Sequence, residues 1–359
     1  MLARLLLALA LLLGASGSAQ QSEPVVRYPA VTPGPEFRFP RDHGAHPDHR
    51  IEWWYFTGWL RTAEGKPLGF QITFFRSRPE IAEGNPSAFA PRQILFAHAA
   101  LSDPATGKLV HDQRMARAGF GIAGAATEDT RIALLDWSLA RQPDGSFLAK
   151  TSARSFGLEL AFRPAQSAMA NGDRGYSRKG PRPDQASYYY SVPHLRVTGS
   201  VLRAGRSEVV SGEAWLDREW SSTLLPEAAV GWDWAGINLD DGGALMAFQV
   251  RGKDGRALYA GGTLRRPDGS QTVLAPGDVR FLPRRHWRSP GTGASYPVEA
   301  DFLVRLPEGM RRFRLRPMFD AQELDGRRAG MPAYWEGAVT TEGGRGYLEL
   351  TGYAEALRL

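Results

Sequence analysis

WWYFTGWLRTAEGKPLGFQITFF, residues 53–75, holds two runs of apolar and aromatic residues around a polar centre that contains Gly65. In the second run, GFQITFF (69–75), apolar and polar side chains alternate with period two, as they do when successive strand residues point to opposite faces. The first run puts Glu52, Trp54 and Phe56 on one face and Trp53, Tyr55 and Thr57 on the other, so neither side of that strand is left to water. Two such runs about a glycine-bearing turn predict a β-hairpin.

Outward from this hairpin the same alternation recurs in GLELAF (157–162), LRVTGSVL (195–202), RFRLRPMF (312–319) and GYLELTGY (346–353). Turn signals at Asp144-Gly145, Asp254-Gly255 and Asp268-Gly269 punctuate the runs at hairpin spacing. No stretch keeps a helical period for more than two or three turns, so the expected class is all-β and antiparallel. The hairpin also has a counterpart. A shift of 178 places Trp54, Phe56, Gly58, Gly65, Phe70 and Gln71 on Trp232, Trp234, Gly236, Gly243, Phe248 and Gln249. A shift of 163 places Leu101 and Pro104 on Leu264 and Pro267, which implies an insertion in the first copy, assigned to Ser77–Arg92. Gly199-Ser-Val corresponds to Gly337-Ala-Val and Gly212 to Gly352, with the join near residues 218–228. A unit of successive hairpins closes most simply into an up-and-down barrel, which leaves no free edge, and small barrels of this type have room for one small ligand. The expectation is two tandem lipocalin-like antiparallel β-barrels from an internal duplication, with a pair of sandwiches as the alternative.

Composition narrows the function classes. Residues 1–19, MLARLLLALALLLGASGSA, have the basic start, apolar run and small-residue end of a secretory signal peptide, with cleavage expected after Ala19. That predicts a periplasmic or secreted protein. The chain has no Cys, so no disulfide framework holds it. Arg outnumbers Lys 39 to 5 and the formal charge is +6, but the charge is spread along both halves. No basic block alternates with stacking aromatics, which argues against a nucleic-acid partner. Gly242-Gly243 and Gly343-Gly344 read as hairpin turns, since no helix follows to cradle a phosphate, and no nucleophile-elbow motif points to a serine hydrolase. No cofactor is expected. A length of 359 residues suits two domains, because single cores seldom grow past roughly 250–300 residues. The expected boundaries are signal peptide 1–19, lead-in 20–38, first barrel 39–222 and second barrel 223–359.

Five segments carry a family resemblance: FPRDHGAHPDHRIEWWYFTGWL (39–60), YYYSVPHLRVTG (188–199), GEAWLDREWSS (212–222), GWDWAGINLDDGGALMAFQVR (231–251), and YWEGAV with GYLELTGY near residues 334–353. In this order they resemble the AttH-like and carotenoid 1,2-hydratase family, over nearly the whole chain after the signal peptide. The resemblance implies two lipocalin-like barrels. It also implies, for the hydratase members, addition of water across a terminal carbon–carbon double bond of acyclic carotenoids, with an acidic residue as proton donor. Asp217 falls at that acidic position. The hydratases carry a His and a Trp near the positions of Tyr188 and Tyr190, where this chain has three consecutive tyrosines.

In GEAWLDREWSS, Trp215, Asp217 and Glu219 share one face of a strand while Leu216, Arg218 and Trp220 share the other. Burial raises a carboxyl pKa, and a neutral buried Asp217 has the chemistry to protonate an alkene. Trp215, Trp232, Trp234, Tyr188 and Tyr190 supply aromatic faces that steady a cation by ~0.5–2 kcal/mol each, and the tyrosines or His194 would hold the water that adds. The alternatives are an ion-pair latch of Arg218 with Asp217, Glu219 or Asp233, or polar recognition of a ligand. For Trp232 and Trp234, the match to Trp54 and Phe56 predicts a core role in both copies. His43, His46 and His49, followed by Glu52, invite a metal site, to which His98 would add a ligand. Pro47 and the alternation of strand faces prevent them from sharing one side, so a folded lead-in capping the first barrel is expected instead. Glu52 is then either paired with an Arg or His or part of a site. The expected ligand is a hydrophobic or isoprenoid-like molecule near the domain junction, contacted by Trp54, Trp215, Glu219, Trp232, Trp234 and Glu52. The alternative to a hydratase is a carrier of lipid or other hydrophobic cargo, linked through the family resemblance to an ABC-type permease.

Overall fold

The computed structural model describes residues 26–357 apart from Ala82; the expected signal peptide lies outside the described residues. The first half holds β1 (Ile51–Thr62), β2 (Pro67–Ser77), β3 (Ile94–Asp103), β4 (Lys108–Arg117), β5 (Ala123–Ala125), β6 (Arg131–Leu134), β7 (Trp137–Arg141), β8 (Phe147–Ser152), β9 (Phe156–Pro164), β10 (Met169–Ala170), β11 (Tyr176–Arg178), β12 (Ala186–Arg203) and β13 (Arg206–Thr223). The second holds β14 (Ala229–Leu239), β15 (Ala244–Gly252), β16 (Ala257–Arg265), β17 (Gln271–Leu274), β18 (Val279–Arg288), β19 (Ser295–Leu306), β20 (Gly309–Pro317), β21 (Glu323–Asp325), β22 (Ala333–Thr341) and β23 (Gly344–Leu350). Two single-turn 3₁₀ helices, Arg41–His43 and Arg327–Ala329, are the only helical pieces among the described residues.

Both sheets are antiparallel and run in matching order. The first is β4-β3-β2-β1-β13-β12-β9-β8-β7-β6-β5 and the second β17-β16-β15-β14-β23-β22-β20-β19-β18. In each, the first strand pairs with the last, and short strands (β10 and β11, or β21) pair with the penultimate one. The sheets curl until β3 and β4 meet β6, and β15 and β16 meet β18. These are two lipocalin-like barrels with the duplication expected from sequence. The turn signals hold as well: Gly145, Gly255 and Gly269 all adopt positive φ between paired strands, where a side chain would be strained. The loop between β2 and β3 is far longer than that between β15 and β16, as the insertion requires.

The register of the duplication needs correction. Thr57 pairs with Gln71 and Trp234 with Phe248, so the hairpins superpose at a shift of 177, the difference between 234 and 57 and between 248 and 71. A one-residue slip moves every side chain to the other face. Trp54, Phe56 and Phe70 accordingly fill the first barrel, whereas Trp234 and Phe248 point out of the second barrel toward the first. The shared core role expected for Trp232 and Trp234 does not hold.

Each barrel interior is a packed core. Trp54, Phe56, Phe74, Trp137 and Phe162 meet in the first, and Ala235, Ile237, Phe302, Phe313 and Trp335 in the second. A third cluster, with Tyr55, Tyr189, Trp215, Trp234, Met246, Phe248 and Tyr347, joins the outer faces of the two barrels. The lead-in caps the first barrel: Phe37 packs on Tyr190 and Trp220, and Phe39 on Tyr190 and His43.

Candidate functional site

Between the barrels lies a cavity of about 320 Å³. The lumen of the first barrel, where small barrels leave ligand space, is instead filled by large side chains. The cavity walls come from strand alternation. On the first barrel the outward row runs across β3, β2, β1, β13 and β12 as His98, Thr73, Tyr55, Asp217 and Ser191, each directly opposite the next. On the second barrel a row across β22, β23, β14 and β15 reads Glu336, Glu349, Trp234 and Phe248. Trp53, Gln71, Phe75, Phe96, Lys179, Tyr189, Glu219, Trp232, Val250 and Tyr334 complete most of the lining. Gly236 follows Trp234 by two residues on the same face; a Cβ there would sit 2.5 Å from the Trp234 ring and 3.0 Å from that of Trp215. This glycine lets the two indoles lie against the strand.

Four carboxyl groups stand in or beside this space: Asp217, Glu219, Glu336 and Glu349. Asp217 accepts hydrogen bonds from Ser191 Oγ (2.5 Å) and Trp215 Nε1 (2.6 Å) on Oδ1, and from Tyr189 Oη (2.5 Å) on Oδ2. Burial pushes its pKa up to about 7 against those three bonds, and Glu219 adds to the rise. Glu349 accepts from Trp232 Nε1 at 3.0 Å and keeps some surface on the cavity wall. Burial, with the nearby Asp217 and Glu219, also raises it to about 7 against the Trp232 bond. Glu336 accepts from Tyr55 Oη, while its Oε2 is buried without a partner. Burial and the charges of Glu349 and Asp217 lift it far above the usual carboxylate range. Glu219 differs, because Lys179 Nζ lies 3.0 Å from its Oε1 and Ser187 Oγ donates to it. Lys179 sits over the rings of Tyr189 and Phe248, 4.6 Å from each centroid.

One ammonium thus stands among four carboxyls in an aromatic enclosure, paired with Glu219, and burial favours the protonated form of Asp217, Glu336 and Glu349. Protonation of Asp217 on Oδ2 reverses its bond to Tyr189. The phenol oxygen already accepts from Trp234 Nε1 at 3.1 Å, so its own O–H is released toward the cavity that Tyr189 lines. The arrangement offers a proton donor, a carboxylate and a dry aromatic wall within one space.

Several expected site residues lie elsewhere. Trp215, Asp217 and Glu219 share the cavity face as expected, joined by Trp232 and Trp234. Glu52 and Trp54 point the other way, into the first barrel. Glu52 is bonded by Arg76, Arg218 and the backbone amide of His46, and Trp54 Nε1 donates to the His43 carbonyl at 2.8 Å. Arg218 therefore latches to Glu52, not to Asp217, Glu219 or Asp233; Asp233 pairs with Arg251 in the second barrel. Tyr188 and Tyr190 face the lead-in, bonded to Thr32 and His43, and it is Tyr189 between them that reaches the cavity. His194 sits at a β-bulge and spans Glu213 (2.7 Å) and the Gly243 carbonyl (2.8 Å), a barrel-to-barrel contact away from the cavity lining. His43, His46 and His49 do not converge: His43 bonds Tyr190, whereas His46 lies between Asp42 and Glu52 and stacks on Trp220 at 3.8 Å.

The sequence expectation missed Tyr55, Lys179, Tyr189, Glu336 and Glu349. The signal for the two glutamates was present: in YWEGAV and GYLELTGY a carboxylate interrupts an otherwise buried strand on the face shared with Tyr334 or Tyr347.

The fold and the interbarrel cavity define a two-barrel lipocalin-like protein with a ligand-sized, acid-lined space. The family model for AttH-like proteins matches residues 30–353, and the chain belongs to that family. The crystal structure of a putative AttH from Nitrosomonas europaea is 51% identical with a TM-score of 0.84, covering 90% of this chain and 99% of its own. Kievitone hydratase from Nectria haematococca has 13% identity and a TM-score of 0.68, over 92% of this chain and 96% of its own. CghA, solved with Sch210972, has 14% identity and a TM-score of 0.50, over 85% and 89%. At such identities the last two show likeness of fold alone. No curated protein matches the chain.

Proposed function

We propose that this protein binds an apolar, isoprenoid-like unsaturated molecule between its barrels and adds water across a carbon–carbon double bond, as an exported enzyme without a cofactor. The observation that carries this is the pair Asp217 and Glu349, buried in one aromatic cavity and each raised to about 7. The charge of Asp217 is one of the groups that raises Glu349, so near neutral pH a state with one proton between them is favoured. One member then serves as acid and the other as base. In the forward step the alkene π pair takes the proton of Asp217, delivered through the Tyr189 hydroxyl, and forms a C–H bond. The adjacent carbon becomes a cation, faced by Trp232 and Trp234. A water oxygen bonds to that carbon and loses its proton to the Glu349 carboxylate, and proton exchange between the two carboxyls restores the starting state. The net change is addition of one water. The resemblance to a family containing hydratases and the hydratase among the structural neighbours support the reaction type, and the apolar leader at residues 1–19 supports export.

The test is turnover in D₂O with the compound that co-purifies with the mature protein. Wild type is expected to place one deuterium on carbon, with a bell-shaped pH dependence centred near neutrality. Asp217→Asn should keep the compound bound while losing roughly 10²–10⁴-fold in rate, the usual contribution of a general acid. A carrier is the second possibility, favoured by the predominance of apolar side chains such as Trp53, Phe75, Phe96 and Val250 on the cavity wall. It would hand lipid or other hydrophobic cargo to a partner such as an ABC-type permease. Unaltered cargo recovered equally from wild type and Asp217→Asn would establish it and remove the hydratase.

A further inference from the structure

Building on the hydratase reading, which it deepens by naming the ligand's chemistry, we infer that the molecule held between the barrels is an alcohol. Its hydroxyl is read by His98, Tyr334 and Gln71 at the end of the cavity away from Asp217. The starting point is a set of buried polar atoms that nothing in the protein satisfies. Gln71 Oε1 and His98 Nε2 have no hydrogen-bond partner, although both residues line the cavity and are almost wholly buried. Buried polar groups are ordinarily paired, so unpaired ones beside an open space point to a missing partner.

The protons on these groups decide what a ligand must offer them. Gln71 Nε2 donates to Thr73 Oγ1 at 2.7 Å and to Tyr334 Oη at 3.3 Å. Tyr334 Oη is 2.8 Å from His98 Nδ1. Burial, with His111 adding, pulls His98 down to about 3, so the imidazole is neutral and carries one N–H. If Tyr334 donates to Nδ1, the proton sits on Nε2 and lacks an acceptor. If Nδ1 carries the proton and donates to Tyr334, the phenol O–H lacks one. Either arrangement leaves one free donor, while Gln71 Oε1 is a free acceptor. A hydroxyl accepts from the first and donates to the second; a carbonyl or ether satisfies only the first, and a hydrocarbon neither.

The register sets the distance from this subsite to the acid. His98, Thr73, Tyr55 and Asp217 lie directly opposite one another on four adjacent strands. Three strand spacings of ~4.8 Å put the hydroxyl end roughly 14 Å from the protonated double bond. The floor between them is Thr73 and Tyr55, under the aromatic walls. The substrate class is thus a mono-unsaturated or polyunsaturated alcohol of about a dozen chain atoms, with the reacting double bond at the end remote from the hydroxyl.

Farnesol and its hydrocarbon counterpart farnesene are the probes, titrated against the mature full-length protein and followed by quenching of the cavity tryptophans. Wild type is expected to bind farnesol at least roughly tenfold more tightly than farnesene, since an unmade bond at a buried donor or acceptor typically costs about that much or more. Gln71→Leu, which removes the free acceptor, and the double change Tyr334→Phe with His98→Phe, which removes the free donor in either arrangement, should each lower the ratio several-fold, chiefly by strengthening farnesene binding, which then leaves fewer buried polar atoms unpaired. Thermal melts establish that each variant is folded, and the paired change at Tyr334 and His98 covers the case in which Gln71→Leu is not. Equal affinities for the two probes in wild type, discrimination that survives both substitutions, or no farnesol binding by folded protein would each overturn the inference. Asp217→Asn is expected to keep the full preference. Because binding is read without turnover, a protein that prefers farnesol but adds no deuterium would refute the hydratase and leave this subsite standing.

Discussion

Asp217 and Arg218 are consecutive, both buried, and sit in opposite electrostatic surroundings. Arg218 points into the first barrel, where its guanidinium bonds Glu52 and the Gly44 carbonyl and stacks 3.9 Å from the centre of the Trp54 ring. Glu52 in turn is held by Arg76 at 2.5 Å. Burial works to raise Glu52, yet the two guanidiniums and the His46 bond outweigh it and keep the carboxyl below its usual range. On the other face of the same strand, Asp217 and its neighbours have too little positive charge, and two of the acids rise to about 7. A buried charge that is fully paired contributes to holding the barrel. Buried acids left short of partners store protons instead, and that is the property a reaction can use.

The contrast is open to attack at three points. The largest expected effect is on folding: Arg218→Leu should lower the unfolding free energy in urea by about 3–5 kcal/mol, because it strands Glu52 without one of its cations. At pH 4, where Asp217 is protonated in the folded state, Asp217→Asn should change it by less than about 1 kcal/mol, since the amide keeps a carbonyl acceptor for the Ser191 and Trp215 donors. If the aspartate substitution proved the more damaging, the division between a structural face and a chemical face would fall.

The second effect is in the pH dependence of the melting temperature, where the two faces have opposite signs. Glu52 is lowered in the folded state, so its contribution is present above its ordinary value of 4.5 and disappears as pH falls below it. Asp217 is raised from 3.8 to about 7, so between those values the folded state binds more protons than the unfolded one. Stability from that source is complete below 3.8 and is lost as pH rises through 7. Asp217→Asn should therefore flatten the decline in melting temperature between pH 4 and 7 by a few degrees. It should leave the acid limb, governed by Glu52, in place.

The smallest effect separates adjacent tyrosines. Tyr190→Phe removes the bond to His43 at 2.6 Å and should cost about 1 kcal/mol of stability with turnover unchanged. Tyr189→Phe, one residue away on the cavity face, should slow proton delivery with little change in melting temperature. Rate measurements that show the reverse order would place the reacting space on the wrong side of β12.

Much of the fold was legible before any coordinate. Period-two runs and Asp-Gly turns specify antiparallel hairpins, and the matching strand orders follow from the duplicated hairpin around Trp54 and Trp232. The face of GEAWLDREWSS was legible as well, because alternation alone joins Trp215, Asp217 and Glu219. Two kinds of information were out of reach. A repeat detected by residue identity is blind to a one-residue slip, so the match to Trp54 and Phe56 argues for a core role for Trp232 and Trp234, whereas both line the cavity where a ligand contact is also expected of them. Which of three adjacent tyrosines faces inward depends on bulges near Ala186 and Val192, and these leave no mark in composition. Glu336 and Glu349 come from the second barrel, and only packing of one barrel against the other brings them to Asp217.

In each half the opening strand takes its final partner last: β1 waits for β13, and β14 waits for β23. Such non-local closure is slow, because the whole intervening chain must be organised before the two ends reward each other. The same β23 that closes the second sheet also carries Glu349. During synthesis the space between the barrels has no completed wall and no counter-acid until residue 350 has been added. A chain cut short of that point lacks the closing strand of the second sheet and Glu349 together, so that wall of the cavity and its acid arrive in the same event.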